Sequence, residues 1–266
     1  MKTALISLSD EGSRIVNQLK KAFADADIFL HEKVSESFEG RRFKSIITLT
    51  KKIFNKYDGL VYVAPCGVVV RALAKNIGDK HTDPGVVVVD AAGRFAISLL
   101  GGHEGGANDL VIAVSNIIGA EPAITTTTEA LKSVIVGIGC RRGVKADAII
   151  AAVDKALQKA GVERAEVRLL ASADIKMDER GLLEAAYLLG IPLRFIRSEE
   201  IRSSRRRFAR SDFVKEKVNL PAVAEPAALL AGRRTRLILP KMTSGAVTIV
   251  LARESFSWSE SDPEGL

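Results

Sequence analysis

Residues 133–161 read SVIVGIGCRRGVKADAIIAAVDKALQKAG, and this stretch decides the fold class. Its first six residues, 133–138, are a short apolar run of the strand type. A turn punctuated by Gly137, Gly139 and Gly143 follows. Residues 144–160 then place apolar side chains at helical spacing and stop at Gly161, as a helix does where glycine closes it. The unit is therefore strand, glycine turn, helix. Outward from it the same unit recurs. Strands are expected over 3–7, 27–30, 59–64 and 122–125 before it, and over 166–170, 193–196, 236–239 and 246–252 after it. Helices are expected between them. One is capped by Asp10-Glu11-Gly12-Ser13 and carries Ile15, Val16, Leu19 and Phe23; others cover 43–55, 67–77, 105–118, 179–189 and 226–231. Residues 86–89 and 95–98 flank Asp90-Ala91-Ala92-Gly93 and read as a hairpin. Short apolar strands alternating with helices predict an α/β fold with largely parallel or mixed sheets, each covered on both faces. The pattern restarts near residues 128–132. We expect two α/β/α lobes, an N-terminal domain over 1–129 and a C-terminal domain over 130–254, with a flexible tail over 255–266.

The chain has 266 residues, 39 Lys plus Arg against 32 Asp plus Glu, and a net charge of +7. An anionic partner is expected. Aromatic residues make up only 5% and are not interleaved with the basic ones, so the stacking platform of single-strand binders is missing. No zinc-finger spacing or RNA-binding signature occurs. A small polyanion is preferred over nucleic acid. Apolar stretches such as 86–89 and 246–252 fall far short of the ~20 residues that cross a bilayer, so no membrane partner is expected. The N-terminus reads as a first strand rather than a secretory signal. Two cysteines, Cys66 and Cys140, make no disulfide framework. The expected location is the cytoplasm.

Four strand-to-helix turns are candidate binding segments. Gly101-Gly102-His103-Glu104-Gly105-Gly106-Ala107-Asn108 sets four glycines within six residues ahead of a helix. Glycine lets backbone approach a ligand, a helix start offers N–H groups to an anion, and His103 and Glu104 are proton carriers. The plainer alternative is a tight turn with solvated side chains, as His31 and His81 are expected to be. Gly137-Ile138-Gly139-Cys140-Arg141-Arg142-Gly143 offers two arginines able to fork onto carboxylates or phosphates. A dinucleotide site competes there, but the glycine spacing is GxGxxxG and the next strand ends in Leu170-Ala171-Ser172 without an acid at its tip. Cys140 is either a thiol of lowered pKa or a small residue fitted to the turn, and the second is preferred. The third turn holds Gly67, with Arg71, Lys80 and Asp83-Pro84 after it. The fourth, residues 171–179, supplies Ser172 and Lys176, while Asp178 and Glu179 suit a helix first turn. The five arginines of 202–210 are a solvated loop or a steering patch. Ligands of open α/β sheets gather at carboxyl ends of strands, where each of these turns leaves its own strand.

Taken in order, the 101–108 and 137–143 turns, the 171–179 segment and Glu225-Pro226-Ala227-Ala228-Leu229-Leu230-Ala231-Gly232 resemble the CbiG family of cobalamin biosynthesis, the cobalt-precorrin 5A hydrolases. Residues 68–71, Lys80, Asp83-Pro84, 125–128, Pro240-Lys241 and Ala246-Val247-Thr248 share the likeness. Family members often carry a middle segment between two conserved regions, which this chain lacks. Cys66 and the arginine-rich stretch are particular to it. The resemblance implies that water opens a δ-lactone on a cobalt-bearing macrocycle and that a two-carbon fragment leaves as acetaldehyde. It implies His103 as general base with Glu104 as helper or substitute. The macrocycle's carboxylates would meet Arg71, Lys80, Arg141, Arg142, Lys176 and Lys241. Gly67, Gly102, Gly105, Gly106, Asn108, Thr125, Gly137, Gly139, Cys140 and Ser172 complete the expected substrate contacts. Cobalt would arrive with the substrate, the protein having no cofactor and no metal cage of its own. Neighbouring pathway enzymes and a second copy of the chain are further candidate partners. The alternative is a non-catalytic carrier of a tetrapyrrole intermediate; a nucleotide- or nucleic-acid-binding protein is a more distant one.

Overall fold

Two sheets organise the chain in the computed structural model, which describes residues 1–208 and 220–255. The chain divides after Thr127 into two compact units. In the first, β1 (Thr3–Ser7), β2 (Asp27–His31), β3 (Arg41–Phe43), β4 (Gly59–Val63), β5 (Gly85–Val89), β6 (Phe95–Leu100) and β7 (Glu121–Ala123) form one sheet in the order 3-2-1-4-5-6-7. β1 to β5 run parallel. β6 turns back against β5, with Val86 opposite Leu100 and Val89 opposite Ala96, and β7 keeps the direction of β6. The four valines of β5 are almost wholly buried, as expected of a strand covered on both faces. One face is covered by α1 (Asp10–Ala22), the other by α2 (Ile46–Ile53) and α3 (Cys66–Leu73); α4 (Ala107–Ile118) joins α1.

Local chemistry sets these boundaries. Ser9, one residue ahead of the expected cap, accepts the Gly12 N–H and starts α1. The helix expected over 43–55 begins later, because Ser45 caps α2 and Phe43 belongs to the edge strand β3, opposite His31. Their rings meet edge to face at 5.5 Å.

A one-turn helix, α5 (Thr127–Ala130), stands at the division of the chain. The second unit holds β8 (Val134–Cys140), β9 (Val167–Ala173), β10 (Leu193–Ile196), β11 (Thr235–Ser244) and β12 (Val247–Glu254), in the order 10-9-8-12-11. β8, β9 and β10 are parallel, and β12 and β11 are antiparallel additions. α6 (Ala146–Ala160) and α7 (Arg180–Leu189) cover one face. Both end on glycines in the left-handed region, Gly161 and Gly190. After α8 (Ser198–Ser203), the short α9 (Ala224–Leu230) covers the other face with Ala224, Ala227 and Ala228. The last carbonyls of α9 are met by three guanidiniums. Arg168 and Arg194 donate to Ala231 O, and Arg206 donates to Leu229 O, which complements the helix dipole. Arg206 of the basic run is thus a structural ligand of the backbone. Arg210 and the expected tail after residue 255 lie outside the described residues. No helix among the described residues is long and apolar enough to cross a membrane.

Candidate functional site

The histidine turn leaves β6 at Leu100 and enters α4 at Ala107. Gly101 and Gly106 take φ of +64° and +74°, and the backbone is packed tightly from below. A Cβ on Gly105 would lie 2.9 Å from the carbonyls of Asp83 and Gly101, and one on Gly102 would lie 2.6 Å from Thr126 Cγ2. These glycines therefore serve the seating of the turn on residues 83–85 and 126. The helix-start donors are also consumed within the turn. Ala107 N–H donates to Gly101 O and Asn108 N–H to Gly102 O, both at 3.0 Å. The first two N–H groups of the helix are therefore not offered to an anion, as the sequence suggests they would be. Asn108 is buried, accepting from Ser98 Oγ at 2.8 Å and donating to Thr126 Oγ1 at 3.0 Å.

His103 and Glu104 project from the tip of the turn and are exposed. Lys80 Nζ lies 3.8 Å from Glu104 Oε1. The Glu104 carboxyl is held below the ordinary range, first by its own backbone N–H; desolvation, the next largest effect, opposes this, and the charges of Lys80, His81 and His103 add to the lowering. Thr125 is exposed beside Thr126, where the chain leaves β7 towards the same rim. So His103, Glu104, Lys80, Asn108 and Thr125 are brought to one end of the sheet.

Gly67 and Arg71 are not. They follow β4, whose end at Val63 lies level with Val89, whereas Leu100 lies level with Val86. The antiparallel course of β6 puts the two glycine turns at opposite ends of the same sheet, although each leaves the carboxyl end of its own strand. Arg71 folds back to donate to Gly67 O at 3.1 Å.

In the second unit β8 and β9 end side by side, and the 139–143 turn meets the 174–179 segment. Gly143 N–H donates to Glu179 Oε1 at 2.7 Å. Lys176 Nζ stands 3.5 Å from Glu179 Oε2, both side chains being largely buried. Arg142 Nη2 reaches Asp178 Oδ2 at 2.7 Å, with both side chains mostly exposed. Arg141 is exposed, and its N–H donates to Ala246 O. Burial pushes the Cys140 thiol up; Lys176 opposes this and Glu179 adds to it, so the reading of a small residue fitted to the turn holds over that of an activated thiol. A cleft of about 550 Å³ opens here, lined by Arg142, Lys145, Asp147, Asp178, Arg180 and Glu184 among others.

Gly137 and Ser172, expected at the ligand, are used by the fold, while Lys241 stands exposed on an edge strand. A Cβ on Gly137 would lie 2.0 Å from Ala224 O, so this glycine admits α9 onto β8. Ser172 is fully buried and donates to Ile138 O at 2.8 Å. Lys241 is exposed at the register break of the edge strand β11, short of the β11–β12 turn. Among the described residues no group of three or more His, Cys, Asp or Glu is placed to hold a metal ion.

Residues 48–129 match the family model described as Cobalamin synthesis G N-terminal, and residues 134–252 match the one described as Cobalamin synthesis G C-terminus. The chain belongs to the CbiG family. A protein of Priestia megaterium named Cobalt-precorrin-5A hydrolase is 24% identical over 352 residues, covering 94% of each chain. One of the same name from Salmonella typhimurium is 24% identical over 344 residues, covering 93% of this chain and 96% of the relative. Protein CobE of Sinorhizobium is 36% identical over 128 residues, 47% of this chain and 83% of that one. The first alignment is longer than the 266 residues of this CbiG chain, so the relative holds residues with no counterpart here. Only residues 130–133 separate the two CbiG matches.

Both turns of this CbiG chain fall inside the matched regions. The sequence pointed to His103, Glu104, Arg142 and Lys176 correctly as neighbours of glycine turns. It missed the work of Ser98, Thr126 and Glu179, since each acts through a partner distant in the chain. The acidic pair Asp178-Glu179 was visible, but its link to Arg142 and Gly143 requires β8 and β9 to be neighbours.

Proposed function

We propose that this protein is a cobalt-precorrin 5A hydrolase, opening the δ-lactone of a cobalt-bearing macrocycle with water and releasing acetaldehyde. The observation that carries this reading is the end-to-end likeness to two relatives bearing that name, over more than nine-tenths of each chain. The histidine turn supplies suitable groups. Attack by water needs a base, and His103 is exposed at the turn tip where a substrate reaches it. Glu104, held anionic by its own N–H and by nearby cations, is a weak base and a good counter-ion for a protonated His103. The lactone carbonyl develops negative charge as water adds, and the acyl C–O bond then breaks to leave a carboxylate and a hydroxyl on the two-carbon fragment; that hydroxyl gives up its proton as its C–O becomes the aldehyde C=O, the C–C bond to the macrocycle breaks, and the macrocycle keeps the electron pair and takes up a proton. Among the described residues no hydrogen bond engages the backbone N–H of His103 or Gly105, so both are available to the oxyanion. Lys80 beside them suits a peripheral carboxylate. Cobalt is part of the substrate in this reading. The cytoplasm suits the unpaired thiols Cys66 and Cys140.

The test is turnover of cobalt-precorrin 5A by the purified protein, with acetaldehyde coupled to NADH oxidation. Wild type releases acetaldehyde, and His103→Ala slows release by about 10²–10⁴ while the far-UV circular dichroism is unchanged. Undiminished release by His103→Ala removes the histidine from the reaction. Tight binding by wild type without acetaldehyde overturns the hydrolase reading in favour of a carrier.

A further inference from the structure

We infer that Asp178 and Glu179 form a two-rung clasp on the 139–143 turn, in which Glu179 fixes the turn and Asp178 holds Arg142 until a substrate carboxylate takes its place. The inference rests on the proposed reading in that the carboxylates belong to the anionic macrocycle. Two consecutive turn residues, Arg142 and Gly143, are bound by two consecutive acids. The rungs differ in kind. The outer rung, Arg142 to Asp178 at 2.7 Å, has side chains 77% and 69% exposed. Such a pair contributes little to stability and exchanges partners at low cost. The inner rung is enclosed. Glu179 is 5% exposed, accepts from Gly143 N–H at 2.7 Å and faces Lys176 at 3.5 Å. Breaking it strands a charge out of water, which is costly. Both rungs border the 550 Å³ cleft, whose other lining cations are Lys145 and Arg180. A carboxylate entering there meets Arg142 already aimed at an acid through its Nη2 alone, with further guanidinium N–H groups to offer the ligand. Asp178 is then the built-in competitor that sets affinity, and Glu179 is a positioning residue.

The test compares wild type with Asp178→Asn, Arg142→Ala, the double variant, Glu179→Ala and Glu179→Gln. Each is assayed for turnover of cobalt-precorrin 5A, for binding of a cobalt porphyrin carrying eight carboxylates, and for iodoacetamide alkylation of Cys140 followed by peptide mass. Asp178→Asn lowers KM and the porphyrin Kd about two- to fivefold, and that gain disappears when Arg142 is Ala. Glu179→Ala raises both about tenfold, with the change in KM rather than kcat, and speeds Cys140 alkylation as the turn loosens. Glu179→Gln keeps an acceptor for Gly143 N–H and restores most of the affinity, which a role in bulk stability alone does not explain. The inference is overturned if Asp178→Asn leaves affinity unchanged, if it acts equally without Arg142, or if Glu179→Ala alters neither affinity nor alkylation. Should Glu179→Ala fail to fold, the Asp178 and Gln variants decide. If wild type releases no acetaldehyde, the hydrolase reading fails while the porphyrin affinities still judge the clasp.

Discussion

Asn108 donates its side-chain amide to the hydroxyl of Thr126 at 3.0 Å, tying the first turn of α4 to the chain that leaves β7. The same side chain accepts from Ser98 at 2.8 Å. The histidine turn is thus anchored from both flanking strands by one buried amide. Asn108→Ala leaves Ser98 Oγ without its acceptor and is expected to cost about 1–3 kcal/mol. A urea titration checks this, and an unchanged midpoint refutes the anchoring role.

Gly137 and Gly143 belong to the same glycine-rich segment but are expected to respond differently to alanine. At Gly137 the added carbon meets the Ala224 carbonyl at 2.0 Å, so α9 must move; the cost is about 3 kcal/mol or more. At Gly143 nothing lies within 4 Å, and the difficulty is a φ of +77°, worth about 1–2 kcal/mol. Thermal unfolding of the two variants gives the order. Equal losses contradict the account of Gly137.

Alkaline pH should loosen the first unit. Burial pushes the Tyr62 phenol up to about 12, its hydroxyl being hydrogen-bonded to Thr50 at 3.0 Å. Tyr57 is also pushed up to about 12, first by burial and then by its bond to Asp27. Their unfolded value is about 10. The folded state therefore favours the protonated phenols, so this stability is whole below pH 10 and is lost as pH rises from 10 through 12. Unfolding midpoints across that range, read with phenolate absorbance, test it. A flat profile contradicts it.

Lys80→Met is expected to raise the pH at which Glu104 takes a proton, by removing the nearest cation. The value should still stay below that of an ordinary glutamate, because the carboxyl's own backbone N–H is the largest cause of the shift. Carbon-13 chemical shifts of the carboxyl follow this titration. No movement in the variant rules out the Lys80 contribution.

Much of the architecture was legible because it depends on local pattern. β1 and β10 were expected at their observed bounds, and Gly161 and Gly190 marked helix ends. The edge strand β3 was missed because Arg41-Arg42-Phe43 carries no apolar alternation and is recognised only when β2 is beside it. Of the site, the histidine turn was legible as a motif, but not the consumption of its helix-start donors by Gly101 and Gly102. The packing demand on Gly137 was not legible, because its neighbour Ala224 arrives from far along the chain. The hairpin of β5 and β6 was recognised from sequence. Its consequence for which end of the sheet carries His103 needed the strand order.

The backward run of β6 also separates observation from chemistry. Cys66 stands just past the end of β4, half-buried, one full strand length from the rim that holds His103, about 13 Å at the usual rise. A fluorophore on that thiol would report on ligand loading of the first unit without crowding His103 and Glu104.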